Sequence, residues 1–490
     1  MTPRSRAMAL ALFGIVLLMS SGSPAAAAGA DPGREVRNLT ISGQRAAVLA
    51  DPAFAARYAA EVARHTAERL ALRVRDPERN PDPNFCTITP VCEGDVRLYD
   101  WDGRVEPVLF TARSGATLSG HVWAARAGAA KRPGVLVING SIAGFERAYW
   151  WAARALAEAG YVVLTFDVQG EGDSDQFGEA PDVLEGSRAG LPVLGDGLPF
   201  YDGGTDALDF FLSTPDSPYV PRASRTSGTS HAGKQSRRVA AGLNSAYNPL
   251  WRLVDPGSLG VTGHSFGAIA ASYLGQSDPR LDAVVAWDSL CTPVQPAPDE
   301  LPAFLRRGPD LLPGLPTPAV AYGFDPECFS APPGPQPVLR KPALGINGDY
   351  LLTPTPYLTP PDPGFKARSS RAYSAAGVDT GNITIRGGTH LEQFFVPLPA
   401  PGASLRGIDL SADYTVAWFD KYLKRDPGAD ARLLTDRWRD DPATRAVDPD
   451  HDGNLFSYHY RSRLDVHLAD GTRLGCEDLR AGCSPRPGTS

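Results

Sequence analysis

The sequence predicts an α/β protein with a mostly parallel central sheet flanked by helices. Three observations carry this. Short continuous apolar runs at 133–139 (PGVLVIN) and 161–166 (YVVLTF) are what strands buried on both faces look like. A helical stretch at 149–159, ended by Gly160, lies between them, so strand, helix and strand follow at the spacing of a parallel unit. A third run at 259–262 then leads into a glycine-flanked serine and a helix of small residues.

The remaining elements are read in chain order. Arg4 and Arg6 precede an apolar stretch at 7–19 and the small residues 25–28, the pattern of a cleaved leader over 1–28. An extension over 29–104 follows, with a helix at 51–75 that starts on Asp51 as N-cap and Pro52 as first helical residue. The main domain spans 105–424. It opens with strands at 105–113 and 118–124, joined by the turn at Ser114-Gly115. The stretch 178–203 is loop-like, and 205–212 is helical. A polar, Ser- and Arg-rich stretch at 217–242 reads as a mobile surface insertion. Helical pattern returns at 248–254 and 268–274, and strands at 281–287, 342–346 and 382–386. A Pro-rich stretch at 293–337 is a candidate cap over the site side. A closing helix at 408–424 ends the domain, and 425–490 is a C-terminal extension.

Composition narrows the function classes. The chain has 490 residues, 42% hydrophobic and 21% charged, a globular balance. Net charge is −7, and no dense basic run exists beyond 234–238, which argues against a nucleic-acid partner. No stretch after the leader is long and apolar enough to span a bilayer, so a soluble, exported protein without a stable membrane anchor is expected. The cysteine count agrees with export. The six are Cys86, Cys92, Cys291, Cys328, Cys476 and Cys483; sequence alone does not choose among their possible pairings, and proximity along the chain suggests Cys86–Cys92, Cys291–Cys328 and Cys476–Cys483. With no Cys-x-x-Cys pair, a thiolate metal site is not expected.

Gly263-His264-Ser265-Phe266-Gly267 is a nucleophile-elbow pattern. The strand-to-helix turn is so tight that bulky flanking residues collide, and the small ones two before and two after Ser265 relieve this. A serine hydroxyl needs a base. Among eight histidines, His390 follows a late strand in Gly387-Gly388-Thr389-His390 and suits the order serine, acid, histidine. Asp349, just past the strand at 342–346, is the expected acid, and Asp288, ending 281–287, is its competitor. The backbone amides of Phe266 and of Ser141, in the loop after 133–139, are the expected oxyanion donors.

Over 105–424 the chain resembles the α/β-hydrolase superfamily. The GHSFG elbow and the turn 167–174 (DVQGEGDS) are similar to those of the dienelactone hydrolase, platelet-activating-factor acetylhydrolase and polyester hydrolase groups. Asn139 stands where many relatives carry His. The resemblance implies hydrolysis of a small-molecule or lipid-like ester through an acyl-enzyme, with no metal and no cofactor. It places the nucleophile on Ser265, the base on His390, the acid on Asp349 and the oxyanion amides on Phe266 and Ser141. A serine peptidase or an acyltransferase on the same fold remains an alternative, as does a non-catalytic binding protein. Separately, Asp448, Asp450 and Asp452 before Gly453 match the start of a calcium loop, but the last ligand position falls on His459 where Glu is required.

Overall fold

The computed structural model describes residues 32–43, 48, 50–81, 86, 92–128, 131–141, 144–185, 197–293, 327–328, 332, 334–350, 357, 361–395, 404–434 and 455–485. The expected leader over 1–28, the 448–453 run and most of the 293–337 cap lie outside these residues.

The chain is α/β, with an 11-stranded mixed sheet. Strands β1 (Arg104–Thr111) and β2 (Thr117–Ala124) form the hairpin at one edge. Then come β3 (Arg132–Ile138), β4 (Val162–Phe166), β5 (Val254–His264) and β6 (Ala283–Trp287). A separate parallel pair consists of β7 (Thr292–Pro293) and β8 (Glu327–Cys328). Strands β9 (Ala343–Gly348) and β10 (Thr380–Ile385) return to the main sheet. In space β4, β3, β5, β6, β9 and β10 lie side by side and parallel, with the hairpin antiparallel at one end.

The helices divide between the two faces. Among the described residues they are α1 (Pro32–Ser42), α2 (Pro52–Arg75), α3 (Trp150–Glu158), α4 (Leu198–Phe211), α5 (Ala232–Ala240), α6 (Phe266–Ser277), α7 (Arg368–Ala375), α8 (Leu405–Phe419) and α9 (Ala429–Leu433). Alternation along β3 shows why both faces need cover. Val135 and Val137 pack with α3 and α8, whereas Leu136 and Ile138 pack with α4 and α6. Each such side chain contributes about 1.5–3 kcal/mol on burial.

Several elements depart from the sequence reading. Helix α4 begins at Leu198, inside a stretch whose Gly and Pro content reads as loop. A Cβ on Gly204 would sit 2.7 Å from Leu274 and 3.0 Å from Ile138, so the glycine permits close helix packing. The 248–254 stretch is a short 3-10 turn at Trp251–Leu253 running directly into β5. The polar 217–242 insertion contains α5, and Lys234, Gln235 and Arg238 on it are buried. Arg238 pairs with Asp76 at the end of α2. Hydropathy periodicity does not register a helix whose inward groups are charged. In the C-terminal extension, β11 (Arg463–His467), β12 (Arg473–Asp478) and β13 (Gly482–Pro485) continue the sheet antiparallel from β10.

The three disulfides are Cys86–Cys92, Cys291–Cys328 and Cys476–Cys483, as chain proximity suggests. Among the described residues no helix is long and apolar enough to cross a membrane.

The extension is clamped to the 167–175 turn by charge. On α2, His65 lies between Glu93 (Nδ1 to Oε1, 2.6 Å) and Asp173 (Nε2 to Oδ1, 2.9 Å). Arg69 reaches Asp173 at 2.8 Å, and Arg147 reaches Glu93 at 2.8 Å. Burial favours a neutral His65, but the charge and hydrogen bond of Asp173, then the hydrogen bond of Glu93, outweigh it and raise the imidazole above its ordinary value. A raised value means the contribution is complete below about pH 6.5 and is lost as pH rises through the folded value. Thermal midpoints of the wild type and His65→Gln should therefore differ most at mildly acidic pH, with the gap closing as pH rises. A gap that widens toward alkaline pH overturns this assignment.

Candidate active site

The candidate residues sit on loops leaving the carboxyl ends of adjacent parallel strands, where an open α/β sheet forms its crevice. The register is close. His264 at the end of β5 pairs with Trp287 at the end of β6, and Trp287 pairs with Ile346 on β9. The ladder continues one step past the strands, since Ser265 N–H donates to Trp287 C=O (3.0 Å) and Asp288 N–H to Ile346 C=O (2.9 Å). Ser265 and Asp288 are thereby held at one level on neighbouring strands.

Ser265 has φ 58° and ψ −122°, a left-handed conformation that costs a non-glycine residue of order 1–3 kcal/mol. The turn is crowded in the way the elbow pattern requires. A Cβ on Gly263 would lie 2.4 Å from Gly267 C=O oxygen, and one on Gly267 would lie 2.2 Å from Ile138 oxygen and 2.5 Å from Asn139 oxygen. The close approach of Gly267 to Ile138 and Asn139 also brings the first turn of α6 against the loop that follows β3. In that loop Asn139 accepts from Val168 N–H (2.9 Å) and donates to Gly140 C=O (2.8 Å). Ser141 Oγ donates to Glu171 (2.7 Å), which ties the loop to the 167–175 turn.

His390 Nδ1 is hydrogen-bonded to Asp288 Oδ2 at 2.7 Å, and both side chains are buried. The expected acid, Asp349, is placed differently. It is fully buried at the end of β9, and its Oδ2 accepts from Gly387 N–H at 2.7 Å. The structure thus brings His390 to the competing carboxylate. The cause lies in the 386–390 loop, which folds back over the end of β9. Tyr350 N–H donates to Gly388 C=O (2.9 Å), and a Cβ on Gly348 would lie 2.6 Å from the Gly388 carbonyl carbon. The loop crosses β9 and delivers the imidazole above β6, one strand beyond Asp349.

Electrostatics separate the two carboxylates. Burial acts to raise Asp288, but the hydrogen bond and charge of His390, then the charge of Lys366, hold it below the usual carboxylate range. Burial raises Asp349, and the opposing pull of His459, Ser457, Gly387 and Lys366 does not offset it. Asp288 is therefore an anion suited to an imidazolium partner, while Asp349 anchors the loop that carries His390. Lys366 donates to Gly348 C=O, beside both acids, and burial lowers it from the usual lysine value.

Some contributors were not visible in the sequence reading. The ring of His264, next to Ser265 in the chain, lies 4.6 Å from that of His390. Its Nε2 is 2.7 Å from His390 C=O, and its Nδ1 is 2.8 Å from Tyr149 Oη. Helix α1 covers the far side of the site. Tyr350 Oη donates to Glu35 (3.0 Å) and accepts from Asn38 (3.1 Å), and His459 Nε2 lies 2.9 Å from Glu35. No periodicity links residues that far apart in the chain.

Cys291, three residues beyond Asp288, is tied to Cys328 across a separation of 37. Replacing both with Ala should cost about 4 kcal/mol in the chain-entropy view of a loop this long. Denaturant unfolding measures it, and a loss under ~1 kcal/mol counts against that role.

A cavity of about 490 Å³ opens elsewhere, lined by Tyr201, Asp202, Arg225, Tyr273 and Arg280. It lies at the opposite end of α6 from Ser265, roughly 18 Å along the helix. Its charges are matched internally, Asp202 by Arg113 and Arg225, and Arg280 by Asp209 and Asp278. Among the described residues no cluster of His, Cys, Asp and Glu has the grouping that holds a metal ion. No protein-family model matches the chain, and comparison with curated proteins returns no match.

Proposed function

We propose that this protein is an exported serine hydrolase of the α/β-hydrolase type that cleaves carboxylic esters through an acyl-enzyme. The observation that carries the reading is the His390–Asp288 pair at the level of a left-handed Ser265 between a buried strand and a helix N-terminus. The predicted leader and the three disulfides support export.

On this reading each residue has one role. Asp288 accepts the Nδ1 proton of His390, which leaves the Nε2 lone pair as the basic site. His390 takes the Ser265 proton as the oxygen attacks the ester carbonyl. The resulting imidazolium is matched by the Asp288 anion. The amides of Phe266 and Ser141 face the developing oxyanion, and one such donor contributes roughly 3–4 kcal/mol in the transition state. His390 then protonates the departing alkoxide. Water then attacks the acyl carbonyl as His390 takes its proton, the bond between the acyl group and the Ser265 oxygen breaks, His390 returns the proton to that oxygen, and the acid leaves.

A fluorophosphonate probe followed by peptide mapping tests the reading directly. The adduct should fall on Ser265, and a panel of aryl esters of rising acyl length should be turned over. A folded protein whose Ser265 resists the probe and which cleaves no ester in the panel would favour a binding protein on this architecture.

A further inference from the structure

We propose that Tyr149 and His264 are positioning residues that lock the loop bearing His390 to the oxyanion loop through a hydrogen-bond chain of fixed direction. The proposal rests on the catalytic reading above and adds to it. The chain runs from Gly140 N–H to Tyr149 Oη (3.1 Å), from Tyr149 Oη to His264 Nδ1 (2.8 Å), and from His264 Nε2 to His390 C=O (2.7 Å).

The donor at each link is dictated by chemistry. A carbonyl oxygen only accepts, so His264 Nε2 carries a hydrogen. In a neutral ring Nδ1 is then an acceptor, and Tyr149 must donate its hydroxyl proton there. Its oxygen lone pair is left for the Gly140 amide. Burial holds His264 far down, to about 3, so the ring is neutral across the working range. The reverse arrangement, a cationic ring donating to Tyr149, would leave the buried phenol proton without an acceptor in this chain. Aromatic contacts hold both members in place. Phe394 lies parallel to His264 at 6.1 Å, and Trp287 lies parallel to Tyr149 at 6.3 Å.

The chain joins three loops that must be mutually aligned for catalysis. Gly140 precedes Ser141, the expected oxyanion donor. His264 precedes Ser265. The last acceptor is the backbone of His390 itself. Asp288 orients the imidazole from its Nδ1 side, whereas His264 holds the main chain from which that imidazole hangs. If the Tyr149 hydroxyl is lost, Nδ1 of His264 has no donor. The ring keeps its Nε2 proton for the His390 carbonyl, but its buried Nδ1 is left without a donor and the Gly140 amide without an acceptor, so the tie between the two loops is cut. The expected damage is to alignment in the transition state and not to substrate binding.

Three variants test this, with ester turnover, probe labelling and far-UV circular dichroism measured on each. Tyr149→Phe removes only the hydroxyl and should lower kcat roughly tenfold with KM little changed, the size expected for one buried hydrogen bond. His264→Leu should lower it further, on the order of a hundredfold. His264→Gln, whose side-chain N–H reaches toward the His390 carbonyl, should recover much of that loss. Labelling of Ser265 should slow in parallel. If the wild type labels at Ser265 and folded Tyr149→Phe labels and turns over at wild-type rates, the chain has no positioning role. A wild type that does not label at all instead removes the catalytic reading. Should His264→Leu fail to fold, Tyr149→Phe still decides the question.

Discussion

Replacing Ser265 with Ala should lower kcat on an activated aryl ester by on the order of 10⁶, with thermal stability close to that of the wild type or above it. The size of the effect follows from the division of labour in the site. In the proposed mechanism His390, Asp288 and the oxyanion amides act through the Ser265 oxygen, so removing that atom removes the covalent route altogether. What remains is binding and the oxyanion amides acting on attack by water, a residual of about 10³–10⁴ over the uncatalysed reaction. Stability should not suffer, because Ser265 holds a φ of 58° that strains any non-glycine residue and the turn is set by its glycine neighbours. Progress curves with the purified variant check it. Turnover within tenfold of wild type would remove Ser265 from the mechanism, whatever its neighbours do.

The second large effect separates the two acids. Asp288→Asn should lower kcat by about 10⁴, because the amide can donate to Nδ1 and so favour the wrong imidazole tautomer. It also takes away the anion opposite the imidazolium. Asp349→Asn should behave differently. Its carboxylate accepts from Gly387 N–H and lies at the root of the His390 loop, so an amide oxygen can keep that bond. A fall of roughly tenfold or less is expected, with any further cost appearing in thermal stability. Measuring kcat for both variants on one ester decides between them. If Asp349→Asn is the more damaged enzyme, the His390–Asp288 contact is not the working arrangement.

The two carboxylates also show where sequence reading reaches its limit. Asp288 and Asp349 both follow buried strands, and both were visible as strand-end acids. Spacing along the chain favoured Asp349, since it lies after the later strand. Nothing in the residues 386–390 indicates that this loop turns back over β9 and brings its imidazole to the strand beyond. That path is set by contacts with Gly348 and Tyr350. The same holds for His264. Adjacent to Ser265 in the chain, it reads as a spacer in the elbow, and only the approach of Tyr149 and His390 from other strands gives it partners.

Locally encoded features were legible. The apolar runs of β3 and β4, the small-residue helix after Ser265, the N-cap at Asp51 and the two short-range cysteine pairs, Cys86–Cys92 and Cys476–Cys483, depend on neighbours along the chain. Helical segments with polar or glycine-rich inner faces were not. For α5 the inward groups are charged, which leaves no apolar period to detect, whereas α4 reads as helix over 205–212 and as loop only in its Gly- and Pro-bearing first turns.

By itself, then, the amino-acid order determined an α/β architecture, and it marked the strand ends, the hydroxyl and the imidazole on which the proposed reaction rests. Tertiary structure alone decided which carboxylate meets His390, and that Tyr149 and His264 tie its backbone to the loop after β3. The physical reason is the same in each case. Hydrophobic period and turn chemistry act over a few residues, whereas a hydrogen bond between side chains a hundred positions apart depends on how loops cross the rim of the sheet.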